Sequence, residues 1–273
     1  MRTTGGFHGL KMALPFEDHW LSSRNQCAGF KDFASCLARG LQIRKHPRAN
    51  IISSNNKKSS LGIINGKSTS IQKCPFMVAI LMDNELFTSG VILNSHWILT
   101  TAYSVYWSNS TKLSFRIGST ESDEGSQIFT VDHVVTNKNY TGSWDNDIAV
   151  IKLNKPIKFG KNAKPIKLRT KNLKSGTKGL IASEESSPVL LDTKVTVYDW
   201  EKCQNIYPDD VTPRQICTYD TKTGPCVFVW GDPLVYKGAL YGLLTGISEC
   251  LSYPVVYTDV PAYLDWIKSA IKE

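Results

Sequence analysis

The stretch Gly224-Pro-Cys-Val-Phe-Val-Trp-Gly-Asp-Pro-Leu-Val235 lies near the carboxyl end of this 273-residue chain and decides how the rest is interpreted. Cys226 is followed after a short interval by Pro233-Leu234-Val235, an apolar run that predicts a strand. The residue midway between them is Trp230, whose side chain has no nucleophilic atom.

Short β-rich segments recur along the chain after residue 63, separated by turn-rich spacers, and few helical patterns lie between them. The remaining segments are Phe76–Met82, Thr88–Leu93, Trp97–Ala102, Lys112–Ile117, Ile128–Val135, Ile148–Leu153, Val189–Val197, Ala239–Leu244 and Val255–Asp259. Together they predict an all-β domain. A helix is predicted at the end, over Val260–Lys272, because Tyr263, Trp266, Ile267 and Ile271 fall on one helical face.

The frame of Cys226 and Pro233-Leu234-Val235 resembles the nucleophile loop of trypsin/chymotrypsin-like serine proteases, Cys-x-Gly-Asp-Ser-Gly-Gly-Pro-[Leu/Val]-Val. An ungapped comparison puts Trp230 at the nucleophilic serine. It puts Phe228 at the oxyanion-binding glycine, Val229 at the aspartate and Asp232 at the last glycine.

The resemblance begins at Ile63-Ile64-Asn65-Gly66, similar to the mature start of the family, and continues to Glu273. It implies two antiparallel six-stranded β-barrels, a C-terminal helix and a site in the cleft between the barrels.

The other two positions of the family's triad can be located in the same way. The histidine segment becomes Trp97-Ile-Leu-Thr-Thr-Ala-Tyr-Ser104, so Tyr103 stands where the base would be, and Asp147 alone is retained. A phenol with an ordinary pKa of about 10 is a poor base at neutral pH. With Trp230 in the third position, we predict that the chain is not an enzyme, and that it uses no metal and no cofactor.

The residues that would form the family's substrate pocket are also changed. Gly224 replaces the aspartate that binds Lys or Arg, and Thr245-Gly246-Ile247 replaces a Ser-Trp-Gly wall. Val255 stands where a glycine keeps the pocket open. We therefore predict a filled pocket that admits no basic side chain.

The resemblance implies two disulfides, Cys203–Cys217 and Cys226–Cys250. A third family bridge, beside the histidine segment, has lost both of its cysteines, at Thr88 and Ser104. Losing both partners leaves no stray thiol, which favours a chain that still folds.

One cysteine and two asparagines have open assignments. Cys74 is expected either as a buried free thiol or paired with Cys27 or Cys36. Asn109 and Asn139 begin glycosylation sequons.

The net charge of +8 is unevenly placed: residues 1–62 hold ten Lys and Arg against three Asp and Glu. The folded part is therefore nearly neutral, and we predict no nucleic-acid binding.

Residues 1–50 are interpreted as a poorly ordered leader, 51–62 as a linker or propeptide, and 63–273 as the folded domain. No apolar run is long enough to span a membrane. The family resemblance implies secretion, although Met1–Leu14 shows no signal-peptide core.

A basic segment, residues 152–178, contains no Asp or Glu. Its ten cationic residues are Lys152, Lys155, Lys158, Lys161, Lys164, Lys167, Arg169, Lys171, Lys174 and Lys178. It is either a solvated face or an exosite for an acidic protein or glycosaminoglycan.

Within the family, the chain is similar to mite group 3 allergen-type trypsins and to the inactivated protease paralogues of the scabies mite. That resemblance rests on Lys73-Cys74-Pro75-Phe76, on residues 145–150 and on residues 253–265. It implies a secreted protein that binds host proteins and inhibits complement-type defence. The alternatives are a polyanion-binding module and an atypical hydrolase.

Overall fold

The computed structural model describes residues 62–106, 108, 110–120, 125–184, 189–226 and 230–272. The predicted leader, and the linker up to residue 61, lie outside the described residues, as do Asn109, Phe228 and Val229. The described part is rich in β-structure, with three short α-helices and two 3₁₀ turns.

The first half of the domain is a closed six-stranded barrel with strand order β3-β4-β5-β8-β7-β6. Its strands are β3 (Met77–Met82), β4 (Glu85–Ile92), β5 (Trp97–Thr100), β6 (Leu113–Ile117), β7 (Gln127–Thr136) and β8 (Ala149–Leu153). In β6, Leu113, Phe115 and Ile117 are buried while the residues between them are half-buried. This period-two burial fills the barrel with apolar side chains.

The second half is an eight-stranded sheet with the path β12-β16-β15-β14-β10-β11-β2, and β9 pairs with β15. Its strands are β2 (Lys67–Thr69), β9 (Lys167–Leu168), β10 (Lys178–Glu184), β11 (Leu190–Thr196), β12 (Gln215–Thr218), β14 (Pro233–Tyr236), β15 (Ala239–Gly246) and β16 (Val255–Asp259). The all-β prediction is confirmed. The first barrel has the six strands expected, whereas the second half, called the second unit below, is an eight-stranded sheet in which the short β2 and β9 extend six strands of four to eight residues.

Four strands of the second unit were missed from sequence: the very short β2 and β9, and the longer β10 and β12. β10 begins at Lys178, the last residue of the basic segment, so its first position is exposed and polar. β12 has four residues and follows Pro213 and Arg214, which resemble a loop. β10 is buried between β11 and β14, and β12 is buried by pairing with β16. Pairing between strands that are distant in sequence leaves no signal in the local residue pattern.

The amino-terminal end of the domain pairs with the stretch of residues 224–235 that opened the sequence analysis, called the decisive stretch below. β1 (Ile63–Ile64) runs antiparallel to β13 (Gly224–Pro225), with Ile63 opposite Pro225. The Cys226 amide donates to the Gly62 carbonyl at 2.8 Å. The Ile63 side chain is 2% exposed and packs in the core of the second unit.

Three short α-helices complete the domain: α1 (Tyr103–Tyr106), α2 (Trp200–Ile206) and α3 (Leu264–Ala270). A 3₁₀ turn, Val260–Tyr263, precedes α3, with Pro261 in its first turn. The predicted C-terminal helix is therefore confirmed, with a 3₁₀ start. Its apolar face packs on the core through Tyr263 and Ile267. None of the helices among the described residues is long and apolar enough to cross a membrane.

The structure contains the two disulfides that the family resemblance implied. Cys203–Cys217 joins α2 to β12, and Cys226–Cys250 joins the decisive stretch to the loop after β15. Cys74 is a buried free thiol. Burial raises the pKa of this thiol to about 11.

Candidate functional site

Tyr103 and Asp147 meet at the start of α1. The Tyr103 backbone amide donates to Asp147 Oδ1 at 2.7 Å, and the Thr245 hydroxyl donates to Asp147 Oδ2. Thr258 Oγ1 donates to the Asp147 backbone carbonyl at 2.8 Å. The carboxylate therefore ties the first barrel to strands β15 and β16 of the second unit.

Asp147 is only 2% exposed. Burial raises its pKa to about 7, against the opposing effect of hydrogen bonds from Thr245 and from the backbones of Tyr103 and Ala102. The Tyr103 pKa is also raised, first by burial and then by the Asp147 charge, so the phenol stays protonated at neutral pH. A neutral phenol can donate a proton but cannot readily accept one.

Trp230 lies over Tyr103, with ring centroids 4.4 Å apart and planes tilted by 31°. The Trp230 carbonyl accepts from the Ser89 amide at 2.9 Å and from the Thr88 hydroxyl. The next residue, Gly231, has φ +83°, and a Cβ there would lie 2.0 Å from the Ser89 carbonyl oxygen. Glycine at 231 therefore allows the loop to approach β4 closely enough to stack the two rings.

A cluster of hydroxyl groups occupies the place of the lost family bridge. The hydroxyl oxygens of Thr88 and Ser104 are 3.0 Å apart and both residues are buried. Ser104 Oγ also lies 2.7 Å from Thr101 Oγ1 and accepts from Thr100 Oγ1 at 3.3 Å. Hydrogen bonds thus connect the two chain segments that a disulfide would have joined.

The predicted pocket residues lie in the second unit. A cavity of about 10 Å³, room for roughly one water, lies beside Gly224, Pro225, Leu251 and Val255. Thr245 is buried and engaged with Asp147, and Ile247 packs on the core of the second unit. The structure does not bring Ile247 or Thr245 into the lining of this cavity.

Trp144, which the sequence did not single out, covers another part of the cleft. A Cβ on Gly246 would lie 2.5 Å from the Trp144 ring, so the indole packs directly on the glycine backbone. Tyr207 contacts the indole edge-on, with centroids 5.3 Å apart, and Gln215 Nε2 donates to the Trp144 carbonyl at 2.8 Å. The sequence could have indicated Trp144 only through its position immediately before the retained Asp145–Val150 segment.

A buried acidic pair lies beneath the Trp230 loop. Asp232, which replaces the family's last glycine, is 4% exposed, and burial raises its pKa well above the usual range. Nearby Glu184 on β10 accepts from Arg116 on β6, an ion pair between the two halves of the domain. Burial raises the Glu184 pKa to about 7 although the Arg116 charge opposes it.

The basic segment runs along the surface between the two halves. Nine of its ten cations are exposed; Lys152 is half-buried and pairs with Asp132 at 3.3 Å. The Lys155 ammonium lies 5.4 Å from the centroid of the Phe129 ring. Phe159, in the middle of the segment, is 48% exposed, which the charge pattern alone did not indicate.

These features define a protein of the chymotrypsin-like fold, with aromatic residues at the cleft where its two halves meet. The Trypsin family model matches residues 63–267, so the chain belongs to the trypsin family. Kallikrein-4 of Homo sapiens is 29% identical over 225 residues, covering 77% of this chain and 87% of that protein. Trypsin theta of Drosophila melanogaster is 26% identical over 224 residues, covering 76% and 86%.

A solved structure supports the same fold. Neuropsin, a serine protease expressed in the limbic system of mouse brain, superposes with a TM-score of 0.66 at 24% identity. The match covers 76% of this chain and 98% of the neuropsin chain.

The prediction that the chain is not an enzyme is contradicted by this family membership, because the proteins it matches are serine proteases by name: trypsins, kallikreins and neuropsin. Changes at Tyr103 and Trp230 therefore do not place the chain outside the trypsin family. The two glycosylation predictions remain untested: Asn139 is exposed on a turn, and Asn109 is outside the described residues.

Proposed function

We propose that this trypsin-family protein acts by binding other proteins at its surface, with the basic segment as the contact. The observation that carries the proposal is an exposed, wholly basic segment with an exposed aromatic ring, Phe159, at its centre. A surface of this kind can attract an acidic partner over about 8 Å of screening length and then anchor it by burying the ring.

The segment is held in place by its backbone. Ile157 donates to Ser95 at 2.7 Å, Lys164 to Pro75 at 2.8 Å and Ile166 to Ile92 at 2.9 Å. The side chains of Ile157, Ala163 and Ile166 are buried in the cores. A segment fixed in this way loses little conformational freedom when a partner binds, which favours affinity.

The cleft supports binding as the mode of action. Tyr103 and Trp230 occupy two triad positions and stack on each other, and Trp144 covers Gly246. The resemblance to the mite paralogues extends the proposal to a secreted protein whose partners are host defence proteins of the complement type.

The test compares two quadruple variants with the same change in charge. One replaces Lys158, Lys161, Lys164 and Lys171 with Ser. The control replaces Lys138, Lys202, Lys222 and Lys272, which are exposed and lie outside the segment. A partner captured from host plasma is purified, and its binding to each variant is measured by surface plasmon resonance at several salt concentrations.

The segment variant is expected to bind about tenfold or more weakly, with slower association and a flatter salt dependence. The control variant should bind like the parent. Equal binding by both variants would contradict the proposal and would favour the alternative that the segment is only a solvated face. Binding to a sulfated polysaccharide in place of a protein would support the polyanion alternative, and peptide-ester turnover measured in parallel tests the hydrolase alternative.

A further inference from the structure

A second concave site lies away from the cleft. It is a cavity of about 520 Å³ between the last part of the basic segment, helix α2 and strand β12. Its walls include Leu173, Tyr198, Trp200 and Ile216. This volume is within the range of small-molecule sites, about 300–1,000 Å³.

Asp259 forms part of the cavity wall and is 1% exposed. Neither of its carboxylate oxygens has a hydrogen-bond partner among the residues that the structure describes. Asp259 precedes a 3₁₀ turn without capping it through its side chain. The nearby Arg214 is already held by Asp145, so its guanidinium is not available as a counter-charge.

A buried carboxylate without a partner is costly, because it has lost its water and gained no donor. Burial accordingly raises the Asp259 pKa to about 7. Two further acidic residues, Asp199 and Glu201, line the same cavity, whereas no Lys or Arg is among its described lining residues. Lys171 and Lys174 are exposed to either side of the Asn172–Leu173 wall.

The aromatic rings are fixed in place. Trp200 Nε1 donates to the Thr212 carbonyl at 3.1 Å, and the Tyr198 amide donates to the Cys217 carbonyl at 2.8 Å. Tyr198 also meets Tyr219 edge-on, with centroids 5.5 Å apart. Rings held beside acidic groups can attract a cation through their faces.

We propose that this cavity binds a cationic group on an apolar stem, an ammonium or a guanidinium, with Asp259 as its counter-charge. Because the Asp259 carboxylate oxygens are buried, the side chain would rotate toward the cavity to accept hydrogen bonds from the cation, while the stem would pack on Trp200, Leu173 and Ile216. The group could be carried by a free amine or by a Lys or Arg side chain of a partner. The site shares the wall of Asn172, Leu173 and Ser175 with the basic segment but uses none of the segment's cations.

The test titrates the full chain by calorimetry with three probes. N-butylguanidine carries a guanidinium on an alkyl stem, N-acetyl-arginine methylamide presents the same group as a peptide side chain, and N-butylurea is the neutral control. Saturable binding of either cation, with none for the urea, is expected. Tighter binding of N-butylguanidine indicates a free small-molecule cation as the natural ligand, and tighter binding of the capped arginine indicates a partner's side chain.

Asp259→Asn keeps the shape of the side chain and removes its charge. It should weaken binding of the better cation by about tenfold or more, as expected for a charge-assisted contact. Asp209→Asn, the same change at an exposed position outside the cavity lining, is the matched control and should bind within about twofold of the parent. Unchanged binding by the Asn variant, or no saturable binding of either cation to the parent, would overturn the proposal.

A second variant keeps the test decisive if Asp259→Asn fails to fold. Ser175 is exposed at the cavity wall, so Ser175→Arg places a competing guanidinium at the entrance without disturbing the core. This variant should also weaken binding of the cationic probe. If it folds by circular dichroism and binds as the parent does, the proposal fails.

Discussion

Two buried aspartates, one in the cleft and one in the cavity beside α2, show how similar burial leads to different roles. Asp147 and Asp259 are 2% and 1% exposed, and burial raises the pKa of each to about 7. Asp147 accepts hydrogen bonds from Tyr103 and Thr245, whereas Asp259 accepts none from the described residues. The Asp147 carboxylate therefore has a structural role, whereas the Asp259 carboxylate is the one that we propose binds a ligand.

The difference is useful because burial alone does not distinguish a structural carboxylate from a binding one. Removing an acceptor whose donors are buried leaves those donors unsatisfied, while removing an acceptor without donors leaves nothing behind. The cleft and the cavity differ in the same way. The polar groups around Asp147 are hydrogen-bonded to its carboxylate, whereas the Asp259 carboxylate has no donor among the described residues.

The largest expected effect is the loss of stability on Asp147→Ala. This change leaves the Tyr103 amide and the Thr245 hydroxyl without their acceptor, which should lower the free energy of unfolding by about 3 kcal/mol. Asp259→Asn is the matched comparison. At pH 4, where Asp259 is protonated in the folded chain, it should change the free energy of unfolding by about 1 kcal/mol or less. Urea denaturation midpoints measure both, and equal losses for the two variants would remove the distinction between the aspartates.

A smaller effect is expected from restoring the lost bridge beside Asp147. Because the hydroxyl oxygens of Thr88 and Ser104 are 3.0 Å apart, the double variant Thr88→Cys with Ser104→Cys should form a disulfide. Closing a loop of this length should stabilise the protein by about 2 kcal/mol relative to the reduced form.

Thiol titration and thermal unfolding with and without reductant measure this outcome. The single variant Ser104→Ala is the control, because it removes the hydroxyl cluster without adding a bridge. If the oxidised double variant has two more free thiols than the parent, in which Cys74 is already free, the hydroxyl pair does not mark a site for a disulfide.

The smallest expected effect, taken per pH unit, is a change in the pH dependence of stability. With a folded-state pKa of about 7 against about 4 when unfolded, Asp259 binds more protons in the folded chain between those values. The free energy of unfolding should therefore fall as pH rises from about 4 to about 7, with at most about 1.4 kcal/mol per pH unit from this residue.

Asp259→Asn should flatten this fall, measured by thermal unfolding across that pH range. Asp147, Glu184 and Asp232 should maintain the remaining slope, because burial raises the pKa of each. Asp265→Asn, at a fully solvated position, is the control. If the free energy of unfolding of Asp259→Asn depends on pH as steeply as that of the parent, Asp259 already has a partner in the folded chain.

The sequence determined the family and the order of the main elements. The Cys226 frame, the Asp145–Val150 segment and the helical spacing of Tyr263 and Ile267 are local patterns, and each is found where it was expected. Strand periodicity located most of the barrel strands, because alternating burial is recorded in neighbouring residues. The charge of the basic segment was likewise visible from sequence.

Only the tertiary structure decided which distant groups meet. Thr88 and Ser104 are paired as hydroxyls, Trp144 covers Gly246, and β10 is buried by two partner strands. No local pattern marked Asp259, since its role depends on the absence of donors in strands and loops remote along the chain. Hydrogen bonding and desolvation act through space, so the fate of a buried polar group is fixed only when the whole fold has formed.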